Sequence, residues 1–155
     1  MDVFFINSKT PFFPLKLKYQ IIIVSASIRI IGFCCKNAIE SDPVLLEKGW
    51  LAFEPEIKIL SVPCSSKVET LGIMKAFESG VDGIFVLGCK ENTCRLLDGN
   101  LRAQRMINYT KKLLDEIHIE TNRLTMVRLG TSEFKDFDHV AQYMIELIQT
   151  LGKVS

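Results

Sequence analysis

Cysteine is the residue type in this chain best suited to chemistry beyond acid–base work. The five cysteines are Cys34, Cys35, Cys64, Cys89 and Cys94. A thiolate is both a nucleophile and a soft metal ligand. The N-terminus shows no compact apolar core followed by a small-residue cleavage site, as a secretory leader would. The expected location is therefore the reducing cytoplasm. There, an odd set of cysteines serves metal binding, redox chemistry or core packing more often than disulfides. Histidine is scarce, only His118 and His139, which leaves His-rich zinc hydrolysis or a Ser-His-Asp triad few candidates.

The spacing narrows the chemistry. Cys89 and Cys94 form a C-x4-C pair, while Cys35 and Cys64 stand alone. Structural zinc sites usually use two tight C-x2-C pairs, and a plant-type ferredoxin order is also absent. Several thiolates brought to one place suit an iron–sulfur cluster or a zinc ion. A thiol–disulfide module is a third option. Against it, adjacent cysteines such as Cys34 and Cys35 seldom meet disulfide geometry, and the chain has no C-x-x-C to lower a thiol pKa.

Four alternations of strand and helix carry these residues. Ile28–Phe33, Ile57–Val62, Gly83–Leu87 and Arg123–Leu129 read as apolar strands. Ser41-Asp42-Pro43 reads as a helix start with Gly49 as its stop. Ser66 and Glu69 resemble a capping box opening a helix with a Val68, Leu71, Met74 and Phe77 stripe, closed by Gly80. A long helix is expected from about Leu101 to Ile117, with the stripe Met106, Thr110, Leu113, Leu114 and Ile117. The last runs from Phe137 through Val140, Met144, Leu147, Ile148 and Leu151 to Gly152. This pattern predicts an α/β open parallel sheet of about four strands with helices on both faces. Every cysteine then lies at the carboxyl end of a strand. Those ends share one edge of an open sheet, where ligands bind at the switch in strand order.

Composition sets the remaining bounds. The 155 residues suit a single α/β domain over 28–155, and residues 1–27 read as a poorly ordered or peripheral N-terminal extension, with an extra strand over Gln20–Val24 as an alternative. That extension holds Phe4, Phe5, Phe12 and Phe13. With 48% apolar and 24% charged residues the chain reads as globular. A net charge of +1 gives no general reason to bind a phosphate backbone, so no nucleic-acid partner is expected. No apolar run reaches the ~20 residues of a membrane span. No G-x-G-x-x-G or G-x4-G-K-[ST] occurs, and no flavin or nucleotide is expected on this chain alone.

Five segments in order, IIGFCCKNA (30–38), VPCSSKVE (62–69), IMKAFESGVDGIFVLGCKENTC (73–94), DGNLRAQRM (98–106) and KKLLDEIHIETNRL (111–124), resemble the delta subunit of methyl-viologen-reducing hydrogenase, also called the hydrogenase iron–sulfur subunit. The likeness spans Ile30 to Gly152. Its most specific stretch is the G-V-D-G run leading into Cys89 and Cys94, followed by G-N and basic residues. The resemblance implies a flavodoxin-like domain carrying a [2Fe–2S] cluster on Cys35, Cys64, Cys89 and Cys94. It implies an electron-transfer subunit, without an active site of its own, that relays electrons from a hydrogenase or formate dehydrogenase subunit to the flavin subunit of heterodisulfide reductase. The chain departs from the family pattern at Ala38, where many members have a second cysteine of C-x2-C, at Arg95, and in the loop KENT. The alternatives of an assembly subunit with zinc or an empty thiol site, and of a thiol–disulfide module, stay open.

Side chains on a strand alternate between faces. Cys35 occupies the family's ligand position, so Cys34 is expected to pack as a small apolar residue. Gly88 reads either as a turn glycine or as room for backbone N–H groups near the sulfurs. Arg95, Arg102 and Arg105 would flank the site, either offsetting cluster charge or forming a solvated face. Both histidines read as surface or packing residues, and Trp50 as core or interface.

Overall fold

The computed structural model describes residues 28–41, 56–90 and 92–154. Strand β1 (Ile30–Cys35) runs directly into a one-turn helix α1 (Lys36–Glu40). Strand β2 (Ile57–Val62) leads through a 3-10 turn (Ser65–Lys67) to α2 (Thr70–Glu78). Strand β3 (Gly83–Gly88) leads through the cysteine loop to α3 (Gly99–Glu116). A second 3-10 turn (Thr121–Arg123), β4 (Leu124–Arg128) and α4 (Phe137–Leu151) complete the order.

All four strands are parallel, in the order β2-β1-β3-β4. That is the order of a flavodoxin-like doubly wound sheet, with its switch point between β1 and β3. β3 is buried at every position, as a central strand covered on both faces must be. Its side chains alternate between two cores. Phe85 and Leu87 face Phe137, Val140, Met144 and Ile148 of α4. Ile84 and Val86 face Ile73 and Phe77 of α2 and Ile107 and Leu114 of α3. Helices thus cover both faces, as the alternating pattern predicted.

Local boundaries differ from the sequence reading where side chains have other work. The Ser66–Glu69 capping box does not form. The helix starts at Thr70 with no side-chain cap, and the Ser66 hydroxyl points at Cys64. The buried face also differs from the expected stripe. Ile73 and Phe77 are buried, whereas Leu71 is 61% exposed. α3 begins two residues before Leu101 and buries Ala103, Ile107, Thr110 and Leu114, leaving Ile117 exposed. Ser41 closes α1, its hydroxyl donating to the Ala38 carbonyl. The rest of the expected Ser41–Gly49 helix, Trp50 and the 1–27 extension lie outside the described residues. Gly80 and Gly152 end their helices with φ of 87° and 76°, conformations that L side chains rarely adopt.

Arg123 ties down the edge opposite the cysteines. It is 1% exposed, yet its Nε donates to Glu120 at 2.7 Å and its terminal nitrogens donate to the carbonyls of Asp82, Gly152 and Leu151. A buried charge persists only when paired and hydrogen-bonded, and here it also satisfies the last carbonyls of α4. Asp82, the acid of the G-V-D-G run, accepts from the backbone N–H groups of Arg29 and Val154. That acid is therefore a structural tie at the amino-terminal edge, well away from the cysteines.

Candidate thiolate site

The parallel sheet brings the carboxyl ends of β1, β2 and β3 to one edge, and with them Cys35, Cys64 and Cys89. Together with Cys94 they line a cleft of about 350 Å³, whose walls include Lys36, Asn37, Pro63, Arg95 and Leu96. The four sulfurs fall into two pairs. Cys35 Sγ lies 3.6 Å from Cys89 Sγ. Two sulfurs bound to one tetrahedral metal at ~2.3 Å stand about 3.8 Å apart, so this pair already has the spacing of ligands to one ion. Cys64 and Cys94 form the second pair, their sulfurs packed against the same helix start at Gly99. Among the described residues no three Cys, His, Asp or Glu side chains converge on a single point.

Gly99 makes the second pair possible. A Cβ at this position would lie 2.6 Å from Cys64 Sγ and 3.1 Å from Cys94 Sγ. Only a residue without a side chain leaves the sulfurs that space. Gly99 is also the first residue of α3, whose N-cap, Asp98, makes no side-chain cap. The first N–H groups of a helix lack intrahelical acceptors and carry partial positive charge. At Cys94 desolvation raises the thiol, but the polar backbone of Leu96, Asn100 and Gly99 together with the Cys64 thiol outweighs it and holds the group below its ordinary value. Desolvation dominates at Cys89. It pushes that thiol up to about 11, against the hydrogen bond from Asn37 Nδ2 at 3.3 Å.

Cys34 lies elsewhere. Its side chain is fully buried, in the core that faces α4, and burial pushes its thiol far above the ordinary value. Both cysteines belong to this buried cluster, but Cys35 also lines the cleft and Cys34 does not. Ala38, at the position of the family's further cysteine, is buried in the same core. The atoms nearest a Cβ at Gly88 would be Met126 Cε at 2.6 Å, then Ser65 Oγ and Asn100 Cβ. Gly88 therefore admits a methionine beneath the α3 start. Arg95 lines the cleft, whereas Arg102 is exposed and paired with Asp98 at 3.0 Å. His118 is exposed, and His139 pairs with Asp136 at the start of α4.

Three residues were missed in sequence. Asn37, Ser66 and Gly99 touch sulfur, but only the fold places them there. A G-N pair following C-x4-C was the one signal in the sequence, for Gly99. The same edge also exposes Leu96, Leu97 and Leu101, at 55%, 91% and 47%. Leu97 does so with a φ of 58°, an uncommon conformation for a leucine.

A doubly wound sheet with paired cysteines at its switch point defines a thiolate-bearing α/β domain. The family model for "Methyl-viologen-reducing hydrogenase, delta subunit" matches residues 30–152, and the chain belongs to that family. Among its relatives, the vhc iron–sulfur subunit of the F420-non-reducing hydrogenase of Methanococcus voltae is 32% identical over 124 residues, covering 80% of this chain and 86% of the relative. The iron–sulfur subunit of the F420-non-reducing hydrogenase of Archaeoglobus profundus is 35% identical over 103 residues, 66% of this chain and 73% of the relative. A different kind of match is to one subunit of the ferredoxin/F(420)H(2)-dependent CoB-CoM heterodisulfide reductase of Methanosarcina acetivorans. It is 22% identical over 81% of this chain but only 16% of its own length.

Proposed function

We propose that this protein is an electron-transfer subunit that holds one [2Fe–2S] cluster on Cys35, Cys64, Cys89 and Cys94. The carrying observation is that the four cysteines line one cleft, with Cys35 Sγ 3.6 Å from Cys89 Sγ and the sulfurs of Cys64 and Cys94 both packed against Gly99. A single tetrahedral zinc needs four donors around one point, whereas a binuclear cluster needs two donors at each of two irons. Cys35 with Cys89 would hold one iron, and Cys64 with Cys94 the other. When bound, such a cluster carries single electrons.

The chain's own residues supply the rest. Cys35, Cys64 and Cys89 are almost fully buried, which keeps bulk water from three of the four sulfurs. The open N-terminus of α3 offsets negative charge at Cys94. Arg95 adds positive charge at the cleft, and Leu96, Leu97 and Leu101 supply exposed apolar surface beside it. Such a rim suits docking to a partner with an acidic border.

The proposed electron donor is a hydrogenase or formate dehydrogenase subunit, and the proposed acceptor is the flavin subunit of a heterodisulfide reductase-type complex. Relatives named as hydrogenase iron–sulfur subunits support the first. The match to a short part of a heterodisulfide reductase chain supports the second, because the same domain there belongs to a much longer polypeptide. No described helix is long and apolar enough to cross a membrane. The test mixes the reduced, iron-loaded protein with the purified flavin subunit of heterodisulfide reductase from the same source, under anaerobic stopped flow. Oxidation of the protein with matching flavin reduction is expected, and its absence with a fully loaded protein contradicts the relay.

A further inference from the structure

An apolar groove of about 550 Å³ runs beside α2 and shares no residue with the cysteine cleft. Leu71, Met74 and Phe77 of α2 line it, with Ile117 and Ile119 after α3 and Val154 near the C-terminus. Leu71 and Ile117 are 61% and 52% exposed. An apolar surface left this open gains from being covered.

The described chain begins beside this groove. The Arg29 guanidinium donates to the Ser79 carbonyl at 3.2 Å, and the Arg29 backbone N–H donates to the Asp82 carboxylate at 2.9 Å. Gly80 stands between those two partners and lines the groove, and a Cβ there would collide with the Arg29 guanidinium. The chain at residue 29 is thus pinned at the groove's end. Just upstream, residues 21–24 read Ile-Ile-Ile-Val, followed by Ser-Ala-Ser and Ile28. Four extended residues, 25–28, reach up to ~14 Å. From Leu71 to Glu78, α2 rises only about 10 Å. The apolar run is therefore within reach of the whole groove.

We propose that residues 21–24 lie along this groove and close the apolar face between α2 and the end of α3. The run is uncharged, as an occupant of an apolar groove must be. Its tether favours it over other occupants. A segment joined by four residues meets the groove at an effective concentration of order ~1 mM, which a free second copy or a separate partner would have to exceed.

The test is photo-crosslinking in the full chain. Ile22→benzoylphenylalanine and, separately, Ile23→benzoylphenylalanine sample both faces of an extended run. After irradiation, at least one is expected to give a product of monomer mass. In it, the tryptic peptide 19–29 is joined to peptide 68–75, which holds Leu71 and Met74, or to 113–123, which holds Ile117 and Ile119. Adding Leu71→Asp, at an exposed position, is expected to lose most of that product while leaving the far-ultraviolet circular dichroism unchanged. Crosslinks only to β2 or β4 would make the run a further strand of the sheet. Crosslinks only at dimer mass would seat a second copy in the groove, and no crosslink to either groove peptide would leave it to a separate partner. Each of these results overturns the proposal, as does a product undiminished by Leu71→Asp.

Discussion

Gly99 and Gly72 are both helical glycines, and the same substitution at each should have opposite consequences. At Gly72 of α2 a Cβ meets nothing within 4 Å. Gly72→Ala should therefore gain up to ~1 kcal/mol, the usual advantage of alanine over glycine in a helix. At Gly99 the new carbon sits 2.6 Å from Cys64 Sγ and 3.1 Å from Cys94 Sγ. Ordinary contact between heavy atoms begins near ~3.5–4.0 Å, so the Cys64 sulfur must retreat by about 1 Å or the helix start must shift. Overpacking of this kind costs roughly 1–3 kcal/mol. The propensity gain largely cancels between the two variants, so Gly99→Ala should be about 1–3 kcal/mol less stable than Gly72→Ala in urea denaturation. The displaced sulfur is also a proposed ligand. Gly99→Ala should accordingly lose iron and visible absorption, and Gly72→Ala should lose neither. A Gly99→Ala protein as stable as Gly72→Ala, with full iron, would show that the sulfur pair does not depend on the space at Gly99.

Further outcomes follow from other residues. Cys34→Ala should keep its iron, because the side chain lies in the core, whereas Cys35→Ala should lose or degrade it; paired iron assays decide, and the reverse pattern would exchange the two roles. Arg123→Met leaves the carbonyls of Asp82, Leu151 and Gly152 without their donor, and should cost about 3 kcal/mol in chemical denaturation without removing visible absorption. Asp136→Ala removes the cap that accepts from the His139 N–H, and should cost ~1 kcal/mol at neutral pH. The hydrogen bonds from His139 hold the Asp136 carboxyl below its ordinary value. A depressed folded-state pKa gives stability that is present above the unfolded value near ~3.9 and lost as pH falls through the folded value. The gap between wild type and Asp136→Ala should therefore close in acid, and a gap unchanged there would contradict the cap.

The parts legible in sequence are those fixed by local pattern. The apolar run of β3 and the stripe of α4 from Phe137 to Ile148 have one physical solution, burial in a sheet core and against it. Parallel strands then put Cys35, Cys64 and Cys89 on one edge without further information. What could not be read depends on side chains choosing a distant partner over a local one. Ser66 has the composition of a helix cap, but its hydroxyl goes to sulfur and the helix starts four residues later. Arg123 is simply the first residue of the expected fourth strand, and nothing local marks it for burial; it is buried because the Leu151, Gly152 and Asp82 carbonyls meet it there. The pairing of Cys64 with Cys94 across Gly99 likewise depends on where α3 begins, and a shift of two residues hid it.

Whether the four thiolates hold a binuclear cluster is decided by iron, zinc and acid-labile sulfide analysis of the anaerobically purified full chain, together with EPR of the dithionite-reduced protein. About two irons and about two sulfides per chain are expected, with a reduced-cluster EPR signal. Stoichiometric zinc, or neither metal with a titratable disulfide, would contradict the electron-transfer reading.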